Sequence, residues 1–266
     1  MTADVSTAGP MTVPFNGGCG ACRTGTYDRP LAMAFQPIVD VTTGSVFAFE
    51  ALVRGVGGEG AASILAGVTP AMLYGFDQAC RITAIETAAE VGLLAQEAAL
   101  SINFMPNAVY EPRACIRATL QAAARVGFPT DRLIFEITET EAVSDPAHLT
   151  RIVEAYRAMG FRTAIDDFGA GHSNLNLLAR FRPDIIKLDR ALIVGIDGDP
   201  VRQTVVRHCV ALCRDLGIDI VAEGVETAAE YETLVAFGVG LIQGYLLARP
   251  GFRMLPEPVW RPGMVC

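Results

Sequence analysis

The sequence predicts one α/β domain, a closed barrel of eight strands with helices on its outside. Two features support this prediction: eight short apolar runs, and stretches of helical periodicity between most of them. The apolar runs, which predict the strands, cover residues 34–39, 46–53, 98–103, 132–138, 162–166, 184–187, 218–222 and 239–243. The helical stretches cover residues 74–91, 116–126, 149–159, 201–216 and 228–237, and each ends near a glycine, as helix C-termini prefer.

The order of these elements indicates how the strands pair. Strands that alternate with helices form parallel sheets, and eight of them are enough to close a barrel. The first two strands are the exception, because the short link 40–45 that joins them contains Thr42, Thr43 and Gly44. Such a link is typical of a hairpin, in which the strands are antiparallel. The predicted fold class is therefore α/β, a TIM-like (β/α)8 barrel with an antiparallel first strand.

Length and composition limit the class of protein. The 266 residues, 51% of them hydrophobic, suffice for one large core, and we predict that residues 31–266 form it. No apolar stretch reaches the roughly 18 residues that cross a bilayer, and no secretory leader is recognisable. We therefore expect a cytoplasmic protein without membrane insertion. The net charge of -8 opposes non-specific binding to nucleic acid, so neither DNA nor RNA is an expected partner.

The first thirty residues predict an N-terminal extension, since they are rich in glycine and lack periodicity. Within residues 1–30, Cys19 and Cys22 have the spacing found in zinc and redox sites. A zinc site needs about four ligands and no second such pair follows, so a flexible arm without a site is the alternative hypothesis. The seven scattered cysteines predict free thiols and not a disulfide framework.

The stretch that points to function runs from Phe161 to Gly171, where a buried strand leads into two adjacent acids and a glycine-rich turn. Neighbouring side chains on a strand point to opposite faces, so Asp166 and Asp167 reach one site only if the chain bends there. Gly169 allows such a bend. The alternative is a strand end followed by an aspartate that caps a helix, which is a common use of this residue.

A similar pattern recurs along the chain. Most predicted strands have, at or near the C-terminal end, a polar residue that an apolar strand does not need for packing. These residues are Glu50, Asn103, Glu136, Asp166, Asp167, Lys187, Glu223 and Gln243. The C-terminal ends of barrel strands converge on one rim, where the active sites of such folds lie. We therefore expect these side chains to meet.

Five of these residues are carboxylates, which repel one another unless cations compensate them. Oxygen ligands without histidine or cysteine favour Mg²⁺ or Mn²⁺ over zinc. The acids suffice for two ions, the usual device for in-line displacement at phosphorus, so phosphodiester hydrolysis is the leading prediction. Lys187 would either hold the attacking water or form a salt bridge. Arg54 would either clamp a phosphate or lie exposed on the surface.

Eight short motifs extend the pattern: FQPIV at 35–39, EALVR at 50–54, SIN at 101–103, FEITE at 135–139, AIDDFGAG at 164–171, IKLD at 186–189, AEGVE at 222–226 and QGYL at 243–246. Each motif alone is weak. Together they resemble the EAL-domain family of cyclic di-GMP phosphodiesterases, which is named for the tripeptide Glu50-Ala51-Leu52. The resemblance covers residues 34–250, nearly the whole predicted barrel.

This resemblance implies hydrolysis of cyclic di-GMP to linear pGpG with two Mg²⁺ or Mn²⁺ ions. The first ion would be held by Glu50, Asn103, Glu136 and Asp166. The second would be held by Asp166, Asp167 and Glu223. Lys187 would contact the attacking water, and Glu223 is also implied as general base, a choice that stays open. The substrate would be bound by Gln36, Leu52, Arg54, Asp189, Glu226 and Gln243. Glu139 would support the loop after Asp167, which in the family leads to a dimer interface.

Regulation and partners follow from the same resemblance. Residues 55–60 resemble the subgroup that accompanies blue-light sensors, yet no sensor domain is recognisable in the sequence. We therefore expect regulation through the extension, a homodimer or a regulatory protein partner. Ca²⁺ is expected to occupy the site and inhibit, because its longer bonds misplace the water. The alternative functions are a non-catalytic cyclic di-GMP receptor and a lyase that uses Lys187 as base.

Overall fold

A computed structural model describes residues 27–109, 111–138, 146–170, 178 and 182–260 of the chain. Most of the predicted extension, with Cys19 and Cys22, lies outside these residues, as does Glu139. The described residues contain nine strands: β1 (Leu31–Asp40), β2 (Ser45–Gly55), β3 (Ala99–Phe104), β4 (Leu133–Thr138), β5 (Arg162–Phe168), β6 (Ile185–Leu188), β7 (Asp219–Ala222), β8 (Leu241–Ile242) and β9 (Gly251–Phe252).

Strands β1 to β8 close into a barrel in chain order, because β1 pairs with both β2 and β8. β1 is antiparallel to these two neighbours, whereas the other neighbouring pairs in the ring are parallel. β9 bonds to β1 outside the ring. The barrel and its antiparallel first strand are confirmed. β9 is absent from the predicted strands, since two residues give no periodic signal.

The hairpin between β1 and β2 is fixed by its own short link. The Asp40 carboxylate accepts hydrogen bonds from the Thr42 amide at 2.8 Å and the Thr42 hydroxyl at 2.6 Å. Gly44 has a φ of 70°, a conformation that glycine adopts without a steric penalty. These local contacts reverse the chain and so give the barrel its antiparallel start.

Eight α-helices have described bounds, besides short 3-10 turns: α1 (Ala61–Leu65), α2 (Leu73–Glu90), α3 (Pro112–Cys115), α4 (Arg117–Val126), α5 (Pro146–Ala158), α6 (Arg190–Ile193), α7 (Pro200–Leu216) and α8 (Ala228–Ala236). The five predicted helices correspond to α2, α4, α5, α7 and α8. α7 starts where Asp199 accepts from the Val201 and Arg202 amides, and α8 starts with a capping box of Thr227 and Glu230. Among the described helices, none combines the length and apolar character needed to cross a bilayer.

The floor of the barrel is closed by one apolar residue from each of its eight strands. These inward-facing residues are Ile38, Ala48, Ala99, Ile134, Ala164, Ile185, Val221 and Leu241. A larger apolar cluster lies between the barrel and its helices and contains the packed rings of Phe104, Phe135 and Tyr156. Because strand side chains alternate, the residue two positions beyond each floor residue also faces the interior. The floor therefore determines which side chains form the next layer.

One ion pair is buried between the helices and the barrel. Arg81 and Asp77 lie one turn apart on α2, and their side chains meet at 2.6 Å with almost no exposure to solvent. Arg81 also donates to the Thr119 hydroxyl on α4 at 2.9 Å, and Asp77 accepts from the Met105 amide at 2.9 Å. The pair thus joins α2 to α4 and to the segment that follows β3.

We expect Asp77→Ala to lower the free energy of unfolding by about 3–5 kcal/mol, because it leaves the Arg81 charge buried without its partner. Urea unfolding measures this change. Glu86→Ala is the matched control, since it removes the partner of Arg125 from an exposed pair and should cost less than about 1 kcal/mol. Equal effects of the two substitutions would contradict a stabilising role for the buried pair.

Candidate functional site

Polar side chains form the layer directly above the apolar floor. This layer is found two residues beyond each floor residue on the parallel strands, and two residues back on antiparallel β1. Its members are Gln36, Glu50, Ser101, Glu136, Asp166, Lys187, Glu223 and Gln243. All except Ser101 are predicted site residues. Each strand, or the residue just after it, therefore contributes one polar side chain to what we call the polar layer.

The Lys187 ammonium group lies at the centre of the polar layer and is 1% exposed. Its Nζ atom is 2.6 Å from an oxygen of Glu223, 2.9 Å from oxygens of Glu136 and Asp166, and 3.3 Å from Glu50. An ammonium group has three N–H donors and cannot satisfy four carboxylates at once. Asp166 Oδ1 accordingly lies at ion-pair distance but is buried without a hydrogen bond. A buried acceptor remains open to a further cation.

Burial and mutual repulsion perturb the protonation of this layer. Burial raises the pKa of Glu136 to about 8, with the Glu50 charge adding to the effect and Lys187 opposing it. Burial also raises the pKa of Glu223 above its usual value, again against the attraction of Lys187. Burial by itself would lower the pKa of Lys187, but the surrounding carboxylates outweigh it and hold that pKa well above the usual value. The layer contains more negative charge than its lysine can neutralise.

The bend expected between the two adjacent aspartates is present in β5. The register of β5 against β6 is irregular between Ile165 and Phe168, and Asp167 has a φ of 56°. Aspartate is among the few residues besides glycine that visit this left-handed region. The bend places oxygens of Asp166, Asp167 and Glu223 within 4.8 Å of one another. Burial and the charge of Asp166 raise the pKa of Asp167 to about 6.

Two carboxylate groups have the spacing of metal ligands, and Asp166 belongs to both. One consists of Glu50, Glu136 and Asp166, and the other of Asp166, Asp167 and Glu223. All donors are oxygens, as Mg²⁺ and Mn²⁺ prefer. With all five carboxylates ionised, as metal binding would require, they and the Lys187 ammonium carry a net charge of four minus, which two divalent cations would cancel. The donor set, the charge and the open Asp166 oxygen therefore fit a two-ion centre.

Two amide side chains position the Glu50 carboxylate. Asn103 Nδ2 donates to Glu50 Oε1 at 3.0 Å, and Gln243 Nε2 donates to Glu50 Oε2 at 2.8 Å. Because the Asn103 nitrogen is turned toward Glu50, its carbonyl oxygen is the atom that would serve as a ligand. The Gln243 carbonyl oxygen is buried without a hydrogen bond, so the layer contains a second open acceptor.

A cleft of about 350 Å³ opens above the polar layer. Four of the predicted substrate residues line it, namely Gln36, Asp189, Glu226 and Gln243. Asp189 Oδ1 also accepts from the Ala191 amide at 2.8 Å and so caps α6. Glu226 forms an ion pair with Arg190 at 3.0 Å at the edge of the cleft. The cleft is therefore acidic at its base and contains both charges at its rim.

Leu52 and Arg54, the other two predicted substrate residues, are not part of the described lining of this cleft. Leu52 and Asn103 line a separate apolar cavity of about 330 Å³ between β2, β3, α1 and α2. Arg54 donates to the carbonyl oxygen of Val53 at 2.8 Å and lies outside the described lining of the acidic cleft. The substrate roles of both residues stay predictions, as does the support role of Glu139.

The structure adds three residues, Ser101, Arg190 and Tyr245, to which the sequence assigned no role at the site. The Ser101 hydroxyl donates to Glu136 Oε1 at 2.5 Å, so it positions a carboxylate of the polar layer. The two-residue offset from the apolar floor is the signal that would have found it. Arg190 and Tyr245 line the acidic cleft from segments beyond the strand ends. Their positions depend on loop geometry, for which strand periodicity gives no signal.

Family and sequence comparisons agree with this architecture. The EAL domain family matches residues 23–250 of the chain. The blue light- and temperature-regulated antirepressor BluF of Escherichia coli is 31% identical over 228 residues, which are 85% of this chain and 56% of BluF. The cyclic di-GMP phosphodiesterase RocR of Pseudomonas aeruginosa is 42% identical over 122 residues, 46% of this chain and 31% of RocR. The chain thus spans little more than half of BluF, and matches a third or less of RocR.

Solved structures share the same barrel. A standalone EAL protein from Vibrio cholerae O395, in a c-di-GMP-bound form, has 50% identity and a TM-score of 0.85 over 90% of this chain and 99% of that one. Klebsiella pneumoniae BlrP1, in a manganese and cyclic di-GMP complex, has 35% identity and a TM-score of 0.82 over 88% of this chain and 59% of BlrP1. With matches over most of its length and the polar layer in place, the chain belongs to the EAL domain family.

Proposed function

We propose that the protein hydrolyses cyclic di-GMP to linear pGpG with the help of two divalent ions, Mg²⁺ or Mn²⁺. The observation that supports this most is the pair of carboxylate groups that share Asp166 around an incompletely neutralised layer. The relatives support the choice of substrate. RocR is a cyclic di-GMP phosphodiesterase, and BlrP1 forms a complex with manganese and cyclic di-GMP.

The proposed division of roles is the one that the family resemblance implies, and the two carboxylate groups support it. One ion would be held by Glu50, Asn103, Glu136 and Asp166, and the other by Asp166, Asp167 and Glu223. Bound ions would supply Lewis acidity and make water a better nucleophile. Glu223 has the most exposed side chain of the four carboxylates around Lys187, which supports the proposal that it accepts a proton from water in the cleft.

Lys187 would act as a fixed positive charge in this reaction. Four carboxylates within 3.3 Å keep its ammonium group protonated, so it would offset negative charge that develops at phosphorus. Only when bound ions draw some of these carboxylates away would one of its three N–H donors be free for the attacking water. This environment disfavours the alternative of a lyase in which Lys187 is the base. Ca²⁺ is proposed to bind the same oxygens and to inhibit, because its geometry is looser.

The second candidate function is a receptor that binds cyclic di-GMP and passes the signal to a protein partner. It is favoured by the similarity to BluF, which is an antirepressor. The two functions differ in one measurement: a receptor binds cyclic di-GMP tightly and releases no pGpG with either Mg²⁺ or Mn²⁺. A full set of metal-ligand residues favours the enzyme.

A homodimer is part of the same proposal, and α7 offers a surface for it. Val201, Val205 and Leu212 are exposed on this helix, with Val201 71% exposed, and Val194 is exposed just before it. Their spacing along α7 places them on one side of the helix. A row of exposed apolar side chains is a typical interaction surface.

We place the protein in the cytoplasm, which agrees with the free thiols of the described cysteines.

We expect the purified protein to release pGpG from cyclic di-GMP in the presence of Mn²⁺. Glu50→Ala should lower kcat by at least about 100-fold, because it removes a ligand and an electrostatic stabiliser together. Product is measured by chromatography. Glu90→Ala, which removes an exposed carboxylate from the end of α2, is the control and should leave turnover unchanged. Persistent activity of Glu50→Ala would refute the metal assignment.

We expect the metal-free protein to lose stability as the pH rises from about 5 to about 8. The pKa values of Asp167 and Glu136 are raised from 3.8 and 4.5 to about 6 and about 8, so the folded state binds more protons than the unfolded chain in this range. The free energy of unfolding therefore falls as these groups ionise. Saturating Mn²⁺ should flatten the profile, since metal binds the ionised carboxylates.

Urea unfolding at a series of pH values, with EDTA or with Mn²⁺, measures this profile. Asp167→Asn is the informative variant, because asparagine tolerates the left-handed conformation that Asp167 adopts but has no charge to titrate. It should reduce the slope near pH 6. Stability that rises with pH in EDTA would contradict the expected repulsion within the layer.

We expect Val201→Glu combined with Val205→Glu to weaken the dimer by at least about tenfold, because each substitution places a carboxylate against its own symmetry mate or an apolar surface. Light scattering after size-exclusion chromatography, over a range of concentrations, measures the change. Val259→Glu is the control, since Val259 is also exposed but lies far along the chain from α7. If the parent, the double variant and Val259→Glu formed equally stable dimers, the interface would lie on another surface.

A further inference from the structure

An aromatic ring stands exposed at the rim of the acidic cleft. Tyr245 follows Gln243 and Gly244 at the end of β8, lines the cleft and is 47% exposed. Large aromatic side chains are usually buried, because burial of their apolar area stabilises the fold. An exposed ring beside a cleft for a nucleotide is therefore available to stack on a base.

The ring is held in place from both its backbone and one of its faces. A Cβ atom at Gly244 would lie 2.0 Å from the Val225 carbonyl oxygen, so the chain passes Val225 too closely for any other residue. The Leu246 amide donates to that same oxygen at 3.1 Å, which fixes the backbone after Tyr245. The Arg249 guanidinium lies 4.3 Å from the ring centroid. A ring with a fixed backbone and a packed face loses less entropy when a ligand stacks on it than a free side chain would.

Tyr245 belongs to the lining of the cleft, whereas Arg249, which lies over the ring, does not. Asp189 and Glu226 line the same cleft. Their carboxylates are acceptors, which suit the N–H donors along one edge of guanine. The cleft thus offers a flat surface for the face of a purine and acceptors for its edge.

We propose that Tyr245, braced by Arg249, is the platform on which one guanine base of the cyclic dinucleotide stacks. This assignment rests on the proposed function, because it requires cyclic di-GMP in the acidic cleft. The base would lie on the cleft side of the ring, and its phosphates would then reach the polar layer at the base of the cleft. Stacking on an aromatic side chain is sequence-tolerant, so Tyr245 would supply affinity and the carboxylates would supply the choice of base.

Calorimetric titration of cyclic di-GMP into the full chain, with EDTA to prevent turnover, tests the platform. Tyr245→Leu should raise Kd by about 5-fold to about 100-fold, because base stacking is lost, whereas Tyr245→Phe keeps the ring and should stay close to the parent. Arg249→Met should give a smaller loss. A cyclic dinucleotide with 2-aminopurine in place of one guanine should lose fluorescence on binding to the parent and much less on binding to Tyr245→Leu.

Phe252→Leu is the matched control, because Phe252 is an exposed aromatic residue on β9 outside the described lining of the cleft. Unchanged affinity in Tyr245→Leu, with normal hydrolysis by the parent, would overturn the platform and leave the proposed function intact. A parent protein that neither binds nor hydrolyses cyclic di-GMP would overturn both. If Tyr245→Phe weakened binding as much as Tyr245→Leu does, the effect would belong to the hydroxyl group. This result would also overturn the stacking proposal.

Discussion

Positive charge inside the polar layer is the condition on which the rest of the structure depends. Burial of one uncompensated carboxylate costs several kcal/mol, and this barrel holds several at the same level. Lys187 projects from β6 between Asp166 on β5 and Glu223 beyond β7, and it also reaches the acids of β2 and β4. A single side chain therefore ties together carboxylates from most of the barrel's circumference. Further cations would neutralise the negative charge that Lys187 leaves uncompensated.

The apolar floor strengthens the electrostatic interactions between these charges. Residues such as Ile134, Ile185 and Val221 exclude water from below, while the cleft opens to solvent above. Charges at such a boundary interact more strongly than in water, since the medium beneath them has a low dielectric constant. They are also fixed by strands and hydrogen bonds, so little reorganisation is needed when charge develops on a substrate. The same closed barrel therefore provides both the core and the electrostatic environment.

Local patterns in the sequence predict most of this arrangement, and long-range contacts account for what they miss. Apolar runs and glycine-ended helical stretches give the eight barrel strands and the five longer helices. Ser101 escapes notice because a serine in an apolar strand is ordinary, and its partner Glu136 lies 35 residues away. The bend at Asp167 follows from nearby glycines, whereas the place of Tyr245 depends on how a turn after β8 meets Val225. Spacing along a strand gives no information on that contact.

The depth of the polar layer bears on the choice between enzyme and receptor. Glu136 is fully buried and lies beneath the cleft, outside its lining, so a dinucleotide held in the cleft would not touch it directly. For recognition alone, a neutral residue at this position would relieve the repulsion from Glu50 and Asp166 that raises the pKa of Glu136. A buried acid outside the lining of the cleft supports the proposed metal-assisted reaction over the proposed receptor role. Residues of catalytic sites commonly lower the stability of the fold.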